Sequence, residues 1–217
     1  MSESAADLLR RFNVRGRFYR ARLGAWEFDL RSHLELFEAG VGWPRAATAD
    51  PDLVAVMMNP GGSRPLESLD DDGWAPALPD RTQYQLMKLA LRAQARGMPI
   101  RHVRVINLSD LRAAKSAELF ATLPTLPDDR HSIFSVQRRD ELEAALGAAS
   151  VPVLRAWGLS PALSELANLG AKLTSSRRVF GLTNNAIHYR HPLPQRADLQ
   201  QRWLIDVGRQ MDALQPR

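Results

Sequence analysis

The chain has 217 residues, of which 45% are hydrophobic, so it is long enough for one domain with a substantial apolar core. It contains no cysteine, which excludes disulfides, thiol catalysis and cysteine-ligated metal or iron–sulfur sites. The net charge is +5, and all but three of the 29 basic residues are arginine, whose planar fork suits phosphates and base edges. This charge balance permits a nucleic-acid partner, although the codon bias of a GC-rich genome would explain it equally well.

We expect a single α/β domain over residues 1–217, beginning with a basic segment at residues 1–22. The start of that segment, "SAADLLRRF", predicts a short helix. The segment is either a phosphate-contacting arm or a solvated terminus, and we favour the second interpretation. No run approaches the roughly 18 apolar residues of a membrane span, and no basic stretch precedes an apolar one at the N-terminus. We therefore expect a cytoplasmic monomer with no membrane contact.

From residue 52 onward, short apolar runs alternate with helical patterns. The runs predict strands at residues 53–58, 102–108, 151–158 and 178–183. Helices are predicted from "DRTQYQLMKLALRAQARG", "RDELEAALGAA" and "ALSELANLGAKL". In the first of these, Asp80 and Gln83 have the spacing of a capping box, and Gly97 supplies a left-handed end. The alternation predicts a three-layer α/β/α fold with a central parallel sheet of about four strands.

The most unusual loops follow the predicted strands. In open α/β sheets, ligands bind beyond the carboxyl ends of the strands. The loops at those ends are "NPGGSR", "NLSDLRA", "GLSP" and "NNAIHYRHPLPQR". They predict a polar rim that includes Asn59, Asn107, Asp110, Arg112, Asn184, His188, Arg190 and His191.

The Asn-Pro-Gly-Gly sequence after the first of these strands has two interpretations. It is either a tight turn or a loop that presents an amide and bare backbone to a ligand. Pro60 fixes its own φ and restricts Asn59 to extended geometry, which would aim the Asn59 amide at low entropic cost. Gly61 and Gly62 would leave room for a planar ligand.

Neither the histidines nor the carboxylates have the spacing of a metal site. His188 and His191 lie three residues apart in a loop, with no third ligand visible. The carboxylates of "LDDDG" lack the spaced glutamate of a calcium loop. We therefore predict no metal and no cofactor.

The ordered set "MMNPGG", "INLSDLR", "AWGLSPAL" and "RHPLP" resembles the uracil-DNA glycosylase superfamily. Its first motif is most similar to that of the mismatch-specific and single-strand-selective members. The chain is also similar, over about residues 20–202, to a bacterial family of unknown function with an Asn-Pro turn, "INL", "AWG" and "GLT…RHPL". The resemblance implies a uracil-DNA glycosylase-like fold. It also implies a DNA repair hydrolase that excises uracil or another altered base.

The same resemblance implies roles for individual residues. Asn59 would position the attacking water, and His191 would stabilise the negative charge of the leaving base. The implied substrate-binding residues are Pro60, Gly61, Gly62, Asn107 and Leu193, where Asn107 reads the base edge and Leu193 enters the base stack. Trp74 is a candidate for stacking on the base. The candidate contacts to the nucleic-acid backbone are Arg64, Arg112, Arg190 and Arg196.

Two further functions stay open. The chain could be a non-catalytic module that binds a nucleotide or nucleic acid in the same pocket, for which Asn59→Ala would leave the affinity nearly intact. A weaker alternative is a hydrolase of small nucleosides or nucleotides. The sequence does not distinguish single-stranded from double-stranded DNA as the partner.

Overall fold

The computed structural model describes residues 3–43 and 48–214, so residues 1–2 of the predicted basic segment lie outside it. The described residues form an α/β fold with six α-helices and a mixed seven-stranded sheet. The helices are α1 (Ala5–Arg11), α2 (Arg81–Gln94), α3 (Ser116–Thr122), α4 (Arg139–Leu146), α5 (Ser164–Leu173) and α6 (Ala197–Asp212). The strands are β1 (Phe12–Leu23), β2 (Trp26–Glu38), β3 (Leu53–Met57), β4 (Trp74–Pro76), β5 (His102–Asn107), β6 (Val153–Arg155) and β7 (Val179–Phe180). No described helix is both long and apolar enough to cross a membrane.

The strand order is β4-β1-β2-β5-β3-β6-β7. The four predicted strands become β3, β5, β6 and β7, which pair in parallel and form the centre and one side of the sheet. β3 is buried along its whole length, as expected for a parallel strand covered on both faces. The prediction of a parallel core is therefore confirmed, but β6 and β7 are shorter than the predicted runs.

The other three strands, β1, β2 and β4, were not predicted from the sequence. β1 pairs with β2 and with β4, β2 pairs with β5, and all three pairings are antiparallel. The interpretation that we favoured for this segment, a solvated terminus, is wrong for residues 12–22, because they belong to β1, which is paired with a strand on each side. Phe12, Val14 and Phe18 point to the core in alternation with exposed arginines, the period-two pattern of a half-buried strand.

Two apolar clusters cover opposite faces of the sheet. Along β3, Leu53, Ala55 and Met57 belong to one cluster, and Val54 and Val56 belong to the other. Helices α1, α2 and α6 pack into the first cluster, whereas α3, α4 and α5 pack into the second. A cavity lined by residues of both clusters opens at the carboxyl ends of the parallel strands.

Helix α2 begins as its sequence predicts. The Asp80 carboxylate accepts hydrogen bonds from the backbone N–H groups of Thr82 and Gln83, at 2.8 and 3.1 Å, and the Gln83 side chain accepts from the Asp80 N–H. This capping box fixes the N-terminus of α2. Gly97 has a φ of 83°, the left-handed conformation predicted for the end of this segment.

Candidate functional site

A cavity of about 690 Å³ lies at the carboxyl ends of β3, β5 and β6. Its walls come from the loops after β3, β5 and β6, from the segment before α6 and from the start of α2. The predicted site residues that line it are Asn59, Gly61, Gly62, Asn107, His191 and Leu193. Four loops that are distant in sequence therefore meet at the edge of the sheet where ligands of α/β folds bind.

Asn59 leads from β3 into the cavity. Its Nδ2 donates hydrogen bonds to the carbonyl oxygens of Leu111 and Ala113, at 3.2 and 2.8 Å. Both donor hydrogens of the amide are thus used to hold the loop after β5. The Oδ1 atom is the part of the amide that can accept a hydrogen bond from a water or a ligand.

The two glycines of this loop differ in what they require. Gly61 has a φ of 64°, and a Cβ there would lie 2.9 Å from Oδ2 of Asp80. A Cβ on Gly62 would meet only Ala114, at 3.7 Å, which is an ordinary contact. Gly61 is therefore needed for the turn and for the close approach of Asp80. Gly62 is not required by its neighbours, and its lack of a side chain leaves open space beside it.

Asn107 is the last residue of β5, in register with Met57 of β3. It is fully buried and lines the cavity, yet neither its Nδ2 nor its Oδ1 has a hydrogen-bond partner among the described residues. Leaving such a group unpaired costs about 1–3 kcal/mol. An amide in this state offers one donor and one acceptor side by side to whatever occupies the cavity.

His191 is positioned by hydrogen bonds of its neighbours. The Tyr189 carbonyl accepts from the Gly158 N–H at 2.7 Å, and the Arg190 carbonyl accepts from Nε1 of Trp203 at 3.1 Å. The Leu193 N–H donates to Nδ1 of His191 at 3.2 Å. Burial lowers the pKa of His191 below its usual value, opposed by the nearby Asp80 carboxylate.

The structure adds Arg31 and Asp80, which the sequence analysis did not place in the site. Arg31, on β2, lines the cavity and is 1% exposed. Asp80 lines it as well: Oδ1 caps α2, while Oδ2 lies against Gly61. Sequence identified Asp80 only as a helix cap, and no local pattern distinguishes Arg31 from the surface arginines of β1.

Other predicted residues lie outside the cavity lining. Trp74 is on β4, where its ring packs against Trp43 at a centroid distance of 4.8 Å. Pro60 is buried beneath the loop. Nε of Arg112 donates to the Ser63 carbonyl at 2.9 Å. The other residues predicted to contact the nucleic-acid backbone are exposed arginines of the surrounding loops: Arg64, Arg190 and Arg196.

The described residues include no group of three or more histidine, aspartate or glutamate side chains arranged to hold a metal ion. Comparison with protein-family models, curated proteins and solved structures finds no match to this chain. The cavity offers a ligand five kinds of group. They are a buried amide with a free donor and acceptor, a neutral imidazole, an amide oxygen, a carboxylate and a buried guanidinium.

Proposed function

We propose that this protein is an N-glycosylase that hydrolyses the bond between an altered base, such as uracil, and a deoxyribose of DNA. The observation that carries the proposal is the convergence of Asn59, Asn107 and His191 on one cavity. These are the three residues to which the resemblance assigns water positioning, base reading and charge stabilisation. The cavity is large enough for a flipped base, since small-ligand pockets begin at about 300 Å³.

We extend the proposal to the fold, as a three-layer α/β/α arrangement of the uracil-DNA glycosylase type. Its support is the parallel order of β5, β3, β6 and β7 together with apolar clusters on both faces of the sheet. The antiparallel strands β4, β1 and β2 would then be an extension of that core. Fold similarity alone does not establish an activity, which depends on the groups of the cavity.

Glycosidic cleavage places positive charge on the sugar and negative charge on the leaving base. An enzyme gains most by placing a hydrogen-bond donor where that negative charge develops. In our proposal, Nε2 of His191 is this donor, since Nδ1 already accepts from the Leu193 N–H. Losing a donor of this kind costs about 10²–10³ in rate.

The attacking water needs an acceptor for its proton. Oδ1 of Asn59 can orient this water, but an amide is a poor base. Oδ2 of Asp80 lies against Gly61, which is in the same loop as Asn59. This carboxylate oxygen is a far stronger proton acceptor than the Asn59 amide. We therefore assign orientation of the water to Asn59 and removal of its proton to Asp80.

The exposed arginines around the cavity would hold the DNA backbone. Arg64, Arg190 and Arg196 are exposed, and Arg112 lies half-buried beneath the loop after Gly62. If these side chains contact phosphates, the logarithm of the affinity falls with the logarithm of salt concentration by about 0.7–0.9 for each contact. A flat salt dependence would contradict a DNA partner.

The decisive experiment is excision from defined oligonucleotides. Single-stranded and double-stranded DNA carrying a panel of altered bases is incubated with the protein, and abasic sites are revealed by alkaline cleavage. We expect cleavage at one or a few bases by the wild type and by Asn168→Ala, a control on the exposed face of α5. Asn59→Ala should lose it. No cleavage at any base would reject the proposed activity.

A non-catalytic module that binds nucleotides or nucleic acid is the second candidate. It is favoured by the two hydrogen bonds from Nδ2 of Asn59, because these give Asn59 a structural role that needs no catalysis. For such a module, the oligonucleotide panel would yield binding without abasic sites. Asn59→Ala would then leave the affinity for the nucleotide or nucleic acid nearly unchanged.

A further inference from the structure

The Arg31 side chain is the most unusual charged group in the described part of the chain. It leaves β2 on the face that carries α2, beside Gly16 of β1, where an added Cβ would lie 3.3 Å from Cδ of Arg31. The absence of a side chain at Gly16 thus gives the Arg31 stem room to lie flat against the sheet. Arg31 lines the cavity together with Asn107, although the residue is only 1% exposed.

This guanidinium has no direct counterion. Its Nε and Nη1 are buried and lack hydrogen-bond partners among the described residues. Asp80 and Asp110 act on it electrostatically without forming an ion pair, and the positive Arg112 opposes them. Burial lowers the pKa of Arg31 to about 10, so the side chain is still charged at neutral pH.

A buried charge without a partner is expensive, and natural proteins rarely keep one. The other buried arginines of the sheet show the usual arrangement. Arg104 pairs with Glu35 at 2.7 Å, and Arg155 donates to Thr174 and to the Ala171 carbonyl. Arg31 differs from both, which indicates that a ligand supplies its missing acceptors.

Asn107 narrows the choice of ligand. It lies on β5, the strand adjacent to β2, and both of its amide atoms are also unpartnered. A phosphate or a carboxylate presents acceptors only, so it would leave Oδ1 of Asn107 facing negative oxygen atoms. A lactam edge, with a ring N–H next to a carbonyl, satisfies both atoms of the amide. Further oxygen atoms of such a ring would satisfy Arg31.

We propose that Arg31 and Asn107 together select a base with a lactam edge, whose N–H stays bonded to Asn107, and that Arg31 stabilises the negative charge on the other ring nitrogen, the one bonded to the sugar in DNA. The inference rests on the proposed function, in that the ligand of the cavity is a nucleobase. It goes beyond that function by adding Arg31 as a specificity-determining residue, whose fixed positive charge supplements the donor at His191. Cytosine and adenine in DNA have no ring N–H next to a carbonyl, so they lack the lactam edge that would satisfy both atoms of the Asn107 amide.

The test measures the binding of free bases to the full chain by isothermal titration calorimetry at pH 8. Uracil and 5-fluorouracil are nearly equal in shape, but the fluorine makes the ring N–H more acidic by more than a factor of ten. We expect 5-fluorouracil to bind about tenfold more tightly than uracil, since a tenfold larger anionic fraction corresponds to a tenfold affinity. Cytosine should not bind measurably.

Arg31→Met should bring the ratio of the two affinities close to one and weaken 5-fluorouracil by about 10-fold to 100-fold. Arg31→Lys, which keeps the charge, should preserve part of the ratio. Arg202→Met, at an exposed arginine of α6, should behave as wild type. Thermal unfolding of each variant confirms that it is folded.

The outcomes separate this inference from the proposed activity. Preference for 5-fluorouracil that depends on Arg31 supports the inference, even if no oligonucleotide is cleaved. Equal binding of the two bases, preference that survives Arg31→Met, or binding of neither base overturns it. The last result does so even if excision from DNA is observed.

Discussion

The backbone N–H of Leu193 donates a hydrogen bond to Nδ1 of His191, at 3.2 Å. An imidazole nitrogen that accepts cannot carry a proton, so in its neutral form His191 is protonated on Nε2. The ring therefore enters the cavity as a fixed donor without a charge. A neutral donor can stabilise a developing negative charge without binding an anion tightly beforehand.

The titration of His191 provides the first prediction. Burial lowers its pKa, so the ring should still be neutral at pH values where an exposed histidine, with a pKa of about 6.5, is half protonated. The unfolded chain then binds more protons, so the stabilisation from this group is complete above about pH 6.5 and is lost as the pH falls toward the pKa of the folded state. NMR titration of the ring, assigned with His191→Ala, checks this. A midpoint at or above 6.5 would contradict it.

The two glycines after Pro60 should respond differently to alanine. Gly61→Ala forces a side chain into a left-handed conformation and against Asp80, so it should destabilise the fold by about 1–2 kcal/mol or more. Gly62→Ala makes only an ordinary contact and should be nearly neutral. Denaturant unfolding of the matched pair measures the difference. Equal losses of stability would show that Gly61 is not constrained as described.

Much of the parallel core was predictable, because fully buried strands carry continuous apolar runs that stand out between helical patterns. The hairpin of β1 and β2 was not. Four arginines alternate with the apolar residues of β1, and together they look like a basic terminal segment. The alternation becomes meaningful only when β2 is known to pair with β1, in a hairpin whose register runs from Leu23 opposite Trp26 to Phe12 opposite Glu38.

Asn59→Ala separates the two roles of this amide. Removing Nδ2 leaves two carbonyls of the loop after β5 unpaired, so we expect a loss of about 1–3 kcal/mol in the free energy of unfolding. Excision should fall by at least about 10²-fold, since the water is no longer oriented. Chemical denaturation and single-turnover excision measure the two effects. Wild-type rates in a destabilised but folded variant would remove Asn59 from the chemistry.

Asp80 can be tested without breaking helix α2. Asparagine caps a helix about as well as aspartate, so Asp80→Asn should keep the capping hydrogen bonds and lose only the attraction between the Asp80 carboxylate and the buried Arg31 guanidinium. It should abolish most of the excision, because an amide cannot accept the proton of the water. Asp80→Ala should lose the activity and also about 0.5–2 kcal/mol of stability. Full activity of a stable Asp80→Asn protein would show that Asp80 only caps the helix.

Arg31→Met should make the protein more stable. Methionine fills much of the same space and removes a buried charge that has no direct counterion, a change that can stabilise a protein by about 1–4 kcal/mol. Thermal unfolding of the free protein is the measurement, with Arg202→Met as the exposed control. A strong loss of stability would instead show that Arg31 has a structural role in the free protein.

The site was predictable only where its residues stand in a recognisable motif. Asn59, Asn107 and His191 follow strands that the sequence identifies, and the strand ends of a parallel sheet meet at one edge. Arg31 belongs to β2, which precedes the parallel strands in the sequence and pairs with β5 in the antiparallel direction. Its burial depends on the space at Gly16 and on the packing of α2, and neither is visible in the residues next to Arg31.

The β1–β2 hairpin also has an evolutionary consequence. It contributes Arg31 to the cavity, whereas Asn59, Asp80 and His191 all come from later in the chain. Replacing the hairpin with another that keeps the pairing between β2 and β5 would change the charge offered to the ligand and leave the other three groups in place. In our proposal, the part of the ligand preference that depends on Arg31 thus lies in a different stretch of the gene from Asn59, Asp80 and His191, and each can be inherited or exchanged without the other.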